Sequence, residues 1–298
     1  MDPFRRLLQL LPDRQYIQLM YLYHFHRFAN LRNPRTFNEK LQWLKLNDHK
    51  PQYITMVDKF AVKDYIAGII GDEFVIPTLG VWQKPDDIDL DDLPNKFVLK
   101  WNHDSGSIVI CRDKATFDSQ FAINKLRHGE YVNGYWYGRE WPYKGVKPCI
   151  IAEQLLEIDG ETHGDLGNMK NPDLVDYKFM CFNGEVKCCF TCSGRFSSEG
   201  LKVTFYDNNW EIMPLTRSHP RENKPCPRPY SFNKMLWAAE QLTKDIPFAR
   251  IDFYEVDKKP YFGEITLYPG SGLEPFQPSC WDKIMGDWLV LPQKNDDE

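Results

Sequence analysis

Four residues near the C-terminal end have the types and spacing of a phosphate-handling site: Arg250 and Asp252 in FARIDFYEV, and Glu264 and Thr266 in PYFGEITLY. Members of each pair are two apart, so on strands they share a face. If the two faces coincide, Asp252 and Glu264 converge as hard oxygen ligands, which suit Mg²⁺ held jointly with substrate phosphates. Arg250 then lies beside them, where a guanidinium takes the charge developing on a transferring phosphoryl group. The competing reading is a cross-strand salt bridge between Arg250 and either acid. The tail PGSGLEPF, Pro269 to Phe276, favours the first, because backbone N–H groups at glycines can approach a ligand closely.

Phosphate needs further cations, and three lysines have suitable contexts: Lys59 in VDKFAVKDY, Lys100 ending FVLK, and Lys178 in DYKF. Taken singly, each reads as a solvated head on a buried stem. The turn NHDSGSIVI carries Ser105, Gly106 and Ser107 at its tip, suited to closing over phosphates through N–H and hydroxyl groups. It has one glycine and lacks the lysine-serine ending of a Walker loop. His103 beside it reads equally as a phosphate or acceptor contact and as a solvated loop residue. Arg139, Trp141 and Tyr143 in YGREWPY read equally as sugar-binding and as packing residues. Cys189 and Cys192 form a CxxC, but on a strand they point to opposite faces, which disfavours zinc.

The elements that must position these groups follow from periodicity. Tyr16–Phe28 reads as a helix buried on more than one side, and Thr36 with Glu39 as a capping box opening FNEKLQWLKL. Lys59–Ile70 reads as a helix closed by Gly71, Phe74–Trp82 as a strand punctuated by Pro77, and the aspartate-rich Pro85–Pro94 as a solvated connection. Strands are expected at FVLK, SIVIC and Pro148–Glu157, with a helix over Thr116–Arg127 and irregular chain over Gly129–Tyr143. Asn183-Gly184 marks a hairpin within Asp176–Cys192, and a second hairpin turns at Asp257–Lys259. Between them Ser231 caps a helix running to Thr243.

At 298 residues the chain is long enough to bury a large core. Its 42 acidic and 37 basic residues leave a formal charge of −5, which disfavours a general nucleic-acid binder. No apolar run approaches the ~18 residues of a membrane span. Gln9 and Pro12 break the opening MDPFRRLLQLLPDR before a secretory core forms, so a cytosolic location is expected. Eight cysteines, with Cys188 and Cys189 adjacent, read as reduced thiols. An aromatic fraction of 14% is left without an obvious use.

The order of these parts resembles the ATP-grasp fold. More narrowly, FNEKLQWLKL, VDKFAVKDY, IPTLGVW, FVLKWNHDSGS, YWYGREWPY, IIAEQLLE, DYKF, ARIDFY and GEITLYPGSG together resemble the TupA-like ATP-grasp family over roughly residues 30–290. That family takes its name from a teichuronopeptide biosynthesis protein, and its members are often labelled glycosyltransferases. The resemblance implies an α+β fold, two α+β subdomains gripping ATP behind a helical N-terminal extension. The implied parts are 1–50 helical, 51–95 α/β, 96–150 a small central lid, 151–292 the C-terminal subdomain and 293–298 a frayed tail.

It also implies site residues. Lys59 and Lys100 contact ATP, with Ser105, Gly106 and Ser107 as the closing loop, and Glu153, Gln154, Leu155 and Leu156 as the hinge at the adenine edge. Glu161 falls to the ribose hydroxyls, Asp176 and Lys178 to the phosphates, and Arg250 and Lys178 to catalysis. Asp252 and Glu264 match the magnesium carboxylates, whereas Thr266 stands where asparagine is usual, a poorer ligand that puts a second magnesium in doubt. Ser107 stands where glycine is common, which stiffens the lid slightly. Gly270, Ser271 and Gly272 would orient the acceptor, with Arg139 and His103 as further substrate contacts. The implied reaction is carboxylate–amine ligation through an acylphosphate with ATP and Mg²⁺. The implied acceptor is a uronic acid of a bacterial surface polysaccharide or its precursor, and the donor an amino acid or other amine. The location would be cytoplasmic, or peripheral at the inner membrane face. The alternative is a glycosyltransferase, for which Asp87, Asp89 and Asp91 mimic Asp-x-Asp, although they sit among prolines without a nucleotide-binding context.

Overall fold

The computed structural model describes residues 9–157, 174–194, 200–222 and 224–293. Its helices are α1 (Asp13–Phe25), α2 (Phe37–Asn47), α3 (Gln52–Val57), α4 (Val62–Ile70), α5 (Ser119–Gly129), α6 (Gly134–Gly138), α7 (Phe232–Thr243) and α8 (Cys280–Trp288). Together with antiparallel sheets they make an α+β architecture. Among the described residues no helix is long and apolar enough to cross a membrane.

A four-stranded sheet is built from β1 (Thr78–Trp82), β2 (Phe97–Trp101), β3 (Val109–Cys111) and β4 (Ile150–Gln154), in the order β1-β4-β2-β3. Alternation puts Phe97, Leu99 and Trp101 on one face, packed with Ala122 and Leu126 of α5. The Trp101 indole N–H donates to the Leu126 carbonyl at 2.7 Å and locks that helix. Lys100 therefore points from the opposite face.

A larger antiparallel sheet runs β10-β9-β5-β6-β7, from β5 (Asp176–Phe182), β6 (Glu185–Ser193), β7 (Lys202–Tyr206), β9 (Phe248–Val256) and β10 (Lys259–Thr266). The short strands β8 (Thr216–Arg217) and β11 (Phe276–Gln277) pair separately. Asn183 and Gly184 both have positive φ, +49° and +84°, as a tight hairpin turn between β5 and β6 requires. Asp257 and Lys258 do the same between β9 and β10 at +51° and +62°. Central β5 is buried at every position, and α7 covers it through Phe232, Met235, Ala239 and Leu242.

Several elements depart from the sequence expectation. Helix α1 buries only Tyr16, Ile17 and Tyr21 and leaves Leu19 and Tyr23 exposed, so it docks by one side. The expected Lys59–Ile70 helix starts at Val62, because the Asp58 carboxylate accepts N–H bonds from Phe60 and Ala61 and holds Lys59 in a turn. Ser231 precedes α7 without capping it; its hydroxyl donates instead to Glu255. The Gly129–Tyr143 stretch contains α6 and the first residues of a 3₁₀ turn, Trp141–Lys144. The capping box at α2 forms as expected, Glu39 N–H donating to the Thr36 hydroxyl and Thr36 N–H to the Glu39 carboxylate, each at 3.3 Å. All eight cysteines are free thiols.

Helix α8 crosses the start of α2 at Gly286. A Cβ there would lie 2.2 Å from the Arg35 carbonyl oxygen and 2.8 Å from the Phe37 nitrogen, both backbone atoms that cannot swing away. Gly286→Ala should therefore cost roughly 1–3 kcal/mol of stability. Urea unfolding checks this, and an unchanged midpoint would refute the close crossing.

Candidate functional site

The site is organised by strand register. On β9 and β10 Glu264 lies opposite Asp252 and Thr266 opposite Arg250, while Lys178 of β5 lies opposite Asp252 from the other side. A β-bulge between Phe262 and Glu264 makes this possible. Phe262 pairs with Phe253, so strict alternation would put Glu264 on the Phe253 face, and the extra residue Gly263 turns it onto the face of Asp252. A Cβ on Gly263 would stand 3.1 Å from the Tyr254 ring and 3.2 Å from the Asp252 carbonyl oxygen, which explains the glycine.

Arg250 clasps Asp252 with both ends, Nε to Oδ1 at 2.6 Å and Nη2 to Oδ2 at 2.7 Å, and Nη2 also reaches Glu264 Oε1 at 2.8 Å. Lys178 bonds Asp252 and lies 3.5 Å from Asp176. Lys59 Nζ stands 3.9 Å from Glu264, and the Thr266 hydroxyl 3.4 Å from it. The cross-strand salt bridge and the converging carboxylates are thus both present. Asp252 is 2% exposed, whereas the Glu264 side chain is 31% exposed and opens to the cleft. Burial alone would push Glu264 up, but Lys59, Arg250 and Lys178 hold it down at about 2. Burial also disfavours the Arg250 charge, and Asp252 and Glu264 outweigh it, so its pKa is raised.

The four-stranded sheet supplies the other wall. Glu153 on β4 is buried and takes Lys100 at 2.5 Å on one oxygen and Lys63 at 2.7 Å on the other. Lys59 joins the walls, donating to the Asp104 carbonyl at 2.7 Å while facing Glu264. Burial lowers its pKa and Lys100 adds repulsion, against the pull of Glu264. In the loop above, Ser107 is buried and donates to Asp104 at 2.5 Å, whereas Ser105 and Gly106 are exposed with open space around the Gly106 Cα. Gln154 is exposed and Leu155 and Leu156 half-buried at the end of β4. Glu161 lies outside the described residues.

Three expectations change. Arg139 does not face a ligand: it is 1% exposed, donates to the Gln9 and Leu11 carbonyls and stacks on the Tyr16 and Tyr135 rings. His103 is neither a solvated residue nor an open contact, being buried edge-on against Trp101 with ring centroids 5.3 Å apart. Gly270 and Gly272 are explained by their backbone, which has positive φ at both, +56° and +61°. The Ser271 and Gly272 carbonyls accept bonds from Gln42, and the Ser271 carbonyl also from Lys45. Three cleft residues escaped the sequence reading. Lys45 had a signal, since it falls one turn after Leu41 on the buried side of α2, and Lys63 had one four residues after Lys59. Glu140 had none. The acidic run around Asp87, Asp89 and Asp91 forms no metal-binding group, and none of three or more His, Cys, Asp or Glu occurs among the described residues.

A family model described as TupA-like ATPgrasp matches residues 39–290. No curated protein matches the chain. Similar solved structures include D-alanine–D-alanine ligase from Bacillus anthracis complexed with ATP, at 15% identity over 72% of this chain and 55% of that one, TM-score 0.40. D-Alanine–D-alanine ligase from Helicobacter pylori is 13% identical over 86% of this chain and 69% of that one, TM-score 0.43. N5-carboxyaminoimidazole ribonucleotide synthetase from Thermus thermophilus is 12% identical over 79% and 49%, TM-score 0.37. The chain spans little more than half the length of the first of these.

The depressed Glu264 has a measurable consequence. A carboxyl held at about 2 when folded and near 4.5 when free stabilises the fold above pH 4.5 and loses that contribution as pH falls toward 2. The stability gap between wild type and Glu264→Gln should therefore narrow through that window in urea titrations. A gap independent of pH would contradict the charge balance.

Proposed function

Because the chain belongs to the TupA-like ATP-grasp family, we propose that it is an ATP-dependent ligase joining a carboxylate to an amine through an acylphosphate. The observation that carries this reading is the clasp of Arg250 on Asp252 and Glu264, flanked by Lys178 and faced by Lys59. Such a site aligns anions and needs no covalent nucleophile of its own.

In this reading Lys59 and Lys100 take phosphate oxygens under the exposed tip Ser105–Gly106, with Ser107 anchoring the loop to Asp104. Gln154, Leu155 and Leu156 border the adenine, Glu153 holds Lys100 in place, and Glu161 takes the ribose. Asp176 and Lys178 stand beside the phosphates. Asp252 and Glu264 are hard oxygen donors in cross-strand register and fit Mg²⁺, with the Thr266 hydroxyl as a neutral third donor. When bound, the metal supplies neutralisation of phosphate oxygens. Arg250 stabilises the γ-phosphoryl group as an acceptor carboxylate oxygen attacks phosphorus and ADP leaves. The amine nitrogen then attacks the acyl carbon, and phosphate leaves with a proton from the nitrogen. Ser271, half-exposed between the Gly270 and Gly272 turns, is placed to meet the acceptor.

The proposed acceptor is a uronic acid of a surface polysaccharide or its precursor, and the donor an amino acid. We assign lid movement to residues 96–150 over the 151–292 part, with 1–50 and 51–95 supporting them, and a cytoplasmic or membrane-peripheral location.

Purified protein incubated with ATP, Mg²⁺, glucuronate or galacturonate and pooled amino acids should release ADP and phosphate and yield an amide visible by mass spectrometry. Arg250→Lys and Glu264→Ala should each lower kcat by about 10²–10³-fold. Sugar transfer from a nucleotide sugar without ADP release would overturn the ligase reading in favour of a glycosyltransferase.

A further inference from the structure

Arg139 has a left-handed backbone, φ +54°, and the next residue, Glu140, opens the 3₁₀ turn Trp141–Lys144. The Glu140 carboxylate is half-buried and turns toward the catalytic centre, where it meets the Ser271 hydroxyl and feels Lys45, Arg250 and Glu264. A Cβ built on Gly138 would stand 2.8 Å from Glu140 Oε1 and 2.0 Å from Ser271 Oγ, so the three residues close one small corner of the cleft.

This acid differs from its neighbours in one respect. Asp252, Glu264, Glu153 and Asp176 each have a lysine or arginine nitrogen within 4.0 Å. Among the described residues Glu140 has none within that distance. Its strongest attraction is to Lys45, but that ammonium spends its N–H groups on neutral oxygens. It donates to Gly138 O at 2.7 Å, Ser271 O at 2.7 Å, Ser271 Oγ at 2.9 Å and Gln42 Oε1 at 3.1 Å. Burial has lowered Lys45 to about 8 and raised Glu140, as expected of a carboxylate lacking a contact cation.

A carboxylate without a contact cation beside a hydroxyl makes a seat for a small organic cation. A divalent metal is disfavoured by the single carboxylate, since no third acid or histidine joins a group here among the described residues. We infer that Glu140, with Ser271, holds the α-ammonium group of an amino-acid substrate. The inference rests on the ligase reading for the identity of that substrate, but the seat itself is testable by binding alone.

Isothermal titration of the full chain, saturated with AMP-PNP and MgCl₂ at pH 7, is the test, using the twenty standard amino acids and their N-acetyl derivatives. At least one free amino acid should bind saturably, and its N-acetyl derivative, which keeps the carboxylate but has an amide in place of the ammonium, should not. Glu140→Gln, which keeps the shape and the bond to Ser271, should weaken that binding by about ten-fold or more while AMP-PNP affinity stays at the wild-type value. Three results would overturn the assignment: no amino acid binding, equal binding of the N-acetyl derivative, or Glu140→Gln binding as tightly as wild type. Failure of the ligase reading is distinguishable, because it would leave amino-acid binding intact and appear as wild-type protein that forms no ADP with any carboxylate.

Discussion

Asp252 is a charge almost wholly removed from water, and the rest of the site depends on how that charge is held. An ionised carboxylate at 2% exposure is tolerated only when cations and hydrogen bonds replace its hydration. Arg250 covers both oxygens from two residues away on the same strand, and Lys178 comes from the neighbouring one. The arrangement survives only in one strand register, since a shift by one residue would send every partner to the other face. The buried acid is thus a constraint on the fold as well as a component of the site. Removing Arg250 or Lys178 would leave an uncompensated charge in the core of the large sheet.

The same charge balance prepares the cleft for anions. Four cations of the cleft are each held by an acid of the protein: Arg250 by Asp252 and Glu264, Lys100 and Lys63 by Glu153, Lys59 by Glu264. In the proposed reaction, cations fixed in advance would need no reorganisation as phosphate charge develops, the condition under which electrostatic stabilisation is most effective. Lys59 has a mechanical part as well. Its backbone N–H bonds the Asn102 carbonyl and its ammonium bonds the Asp104 carbonyl, so the residue facing the Glu264 carboxylate also braces the base of the 102–108 loop.

Much of this frame was legible because it is local. Asn183-Gly184 and the Asp257–Lys259 turn announce two hairpins, and the i, i+2 pairing of Arg250 with Asp252 needs only strand alternation. Thr36 and Glu39 announce α2 in the same way. The rest depends on contacts between distant segments. Whether Glu264 would share a face with Asp252 turned on the Gly263 bulge, and nothing in PYFGEIT says whether that glycine is a bulge or an ordinary strand position. Lys59 reads as helical from apolar spacing until the Asp58 carboxylate competes for the first N–H groups. His103 read equally as a contact and as a solvated residue, and Arg139 equally as a contact and as packing, because polar residues in turns are usually accessible. His103 is buried against Trp101, and the burial of Arg139 comes with the N-terminal segment, far away in sequence.

Arg139 shows how such a misreading can still mark the right place. Its guanidinium holds the N-terminal segment through the Gln9 and Leu11 carbonyls, while Tyr135 donates to Asp13 and Tyr16 to the Tyr137 carbonyl. That clasp fixes α6 against α1, and Arg139 itself closes α6 as a left-handed C-cap, its N–H bonded to the Tyr135 carbonyl. A chain turned left at one residue presents the next in a different direction, and the next residue is Glu140, which bonds Ser271 and lies in the field of Arg250. A buried arginine therefore sets the aim of an acid it does not touch, and the N-terminal helix, remote from the carboxylates of β9 and β10, takes part in shaping the cleft above them.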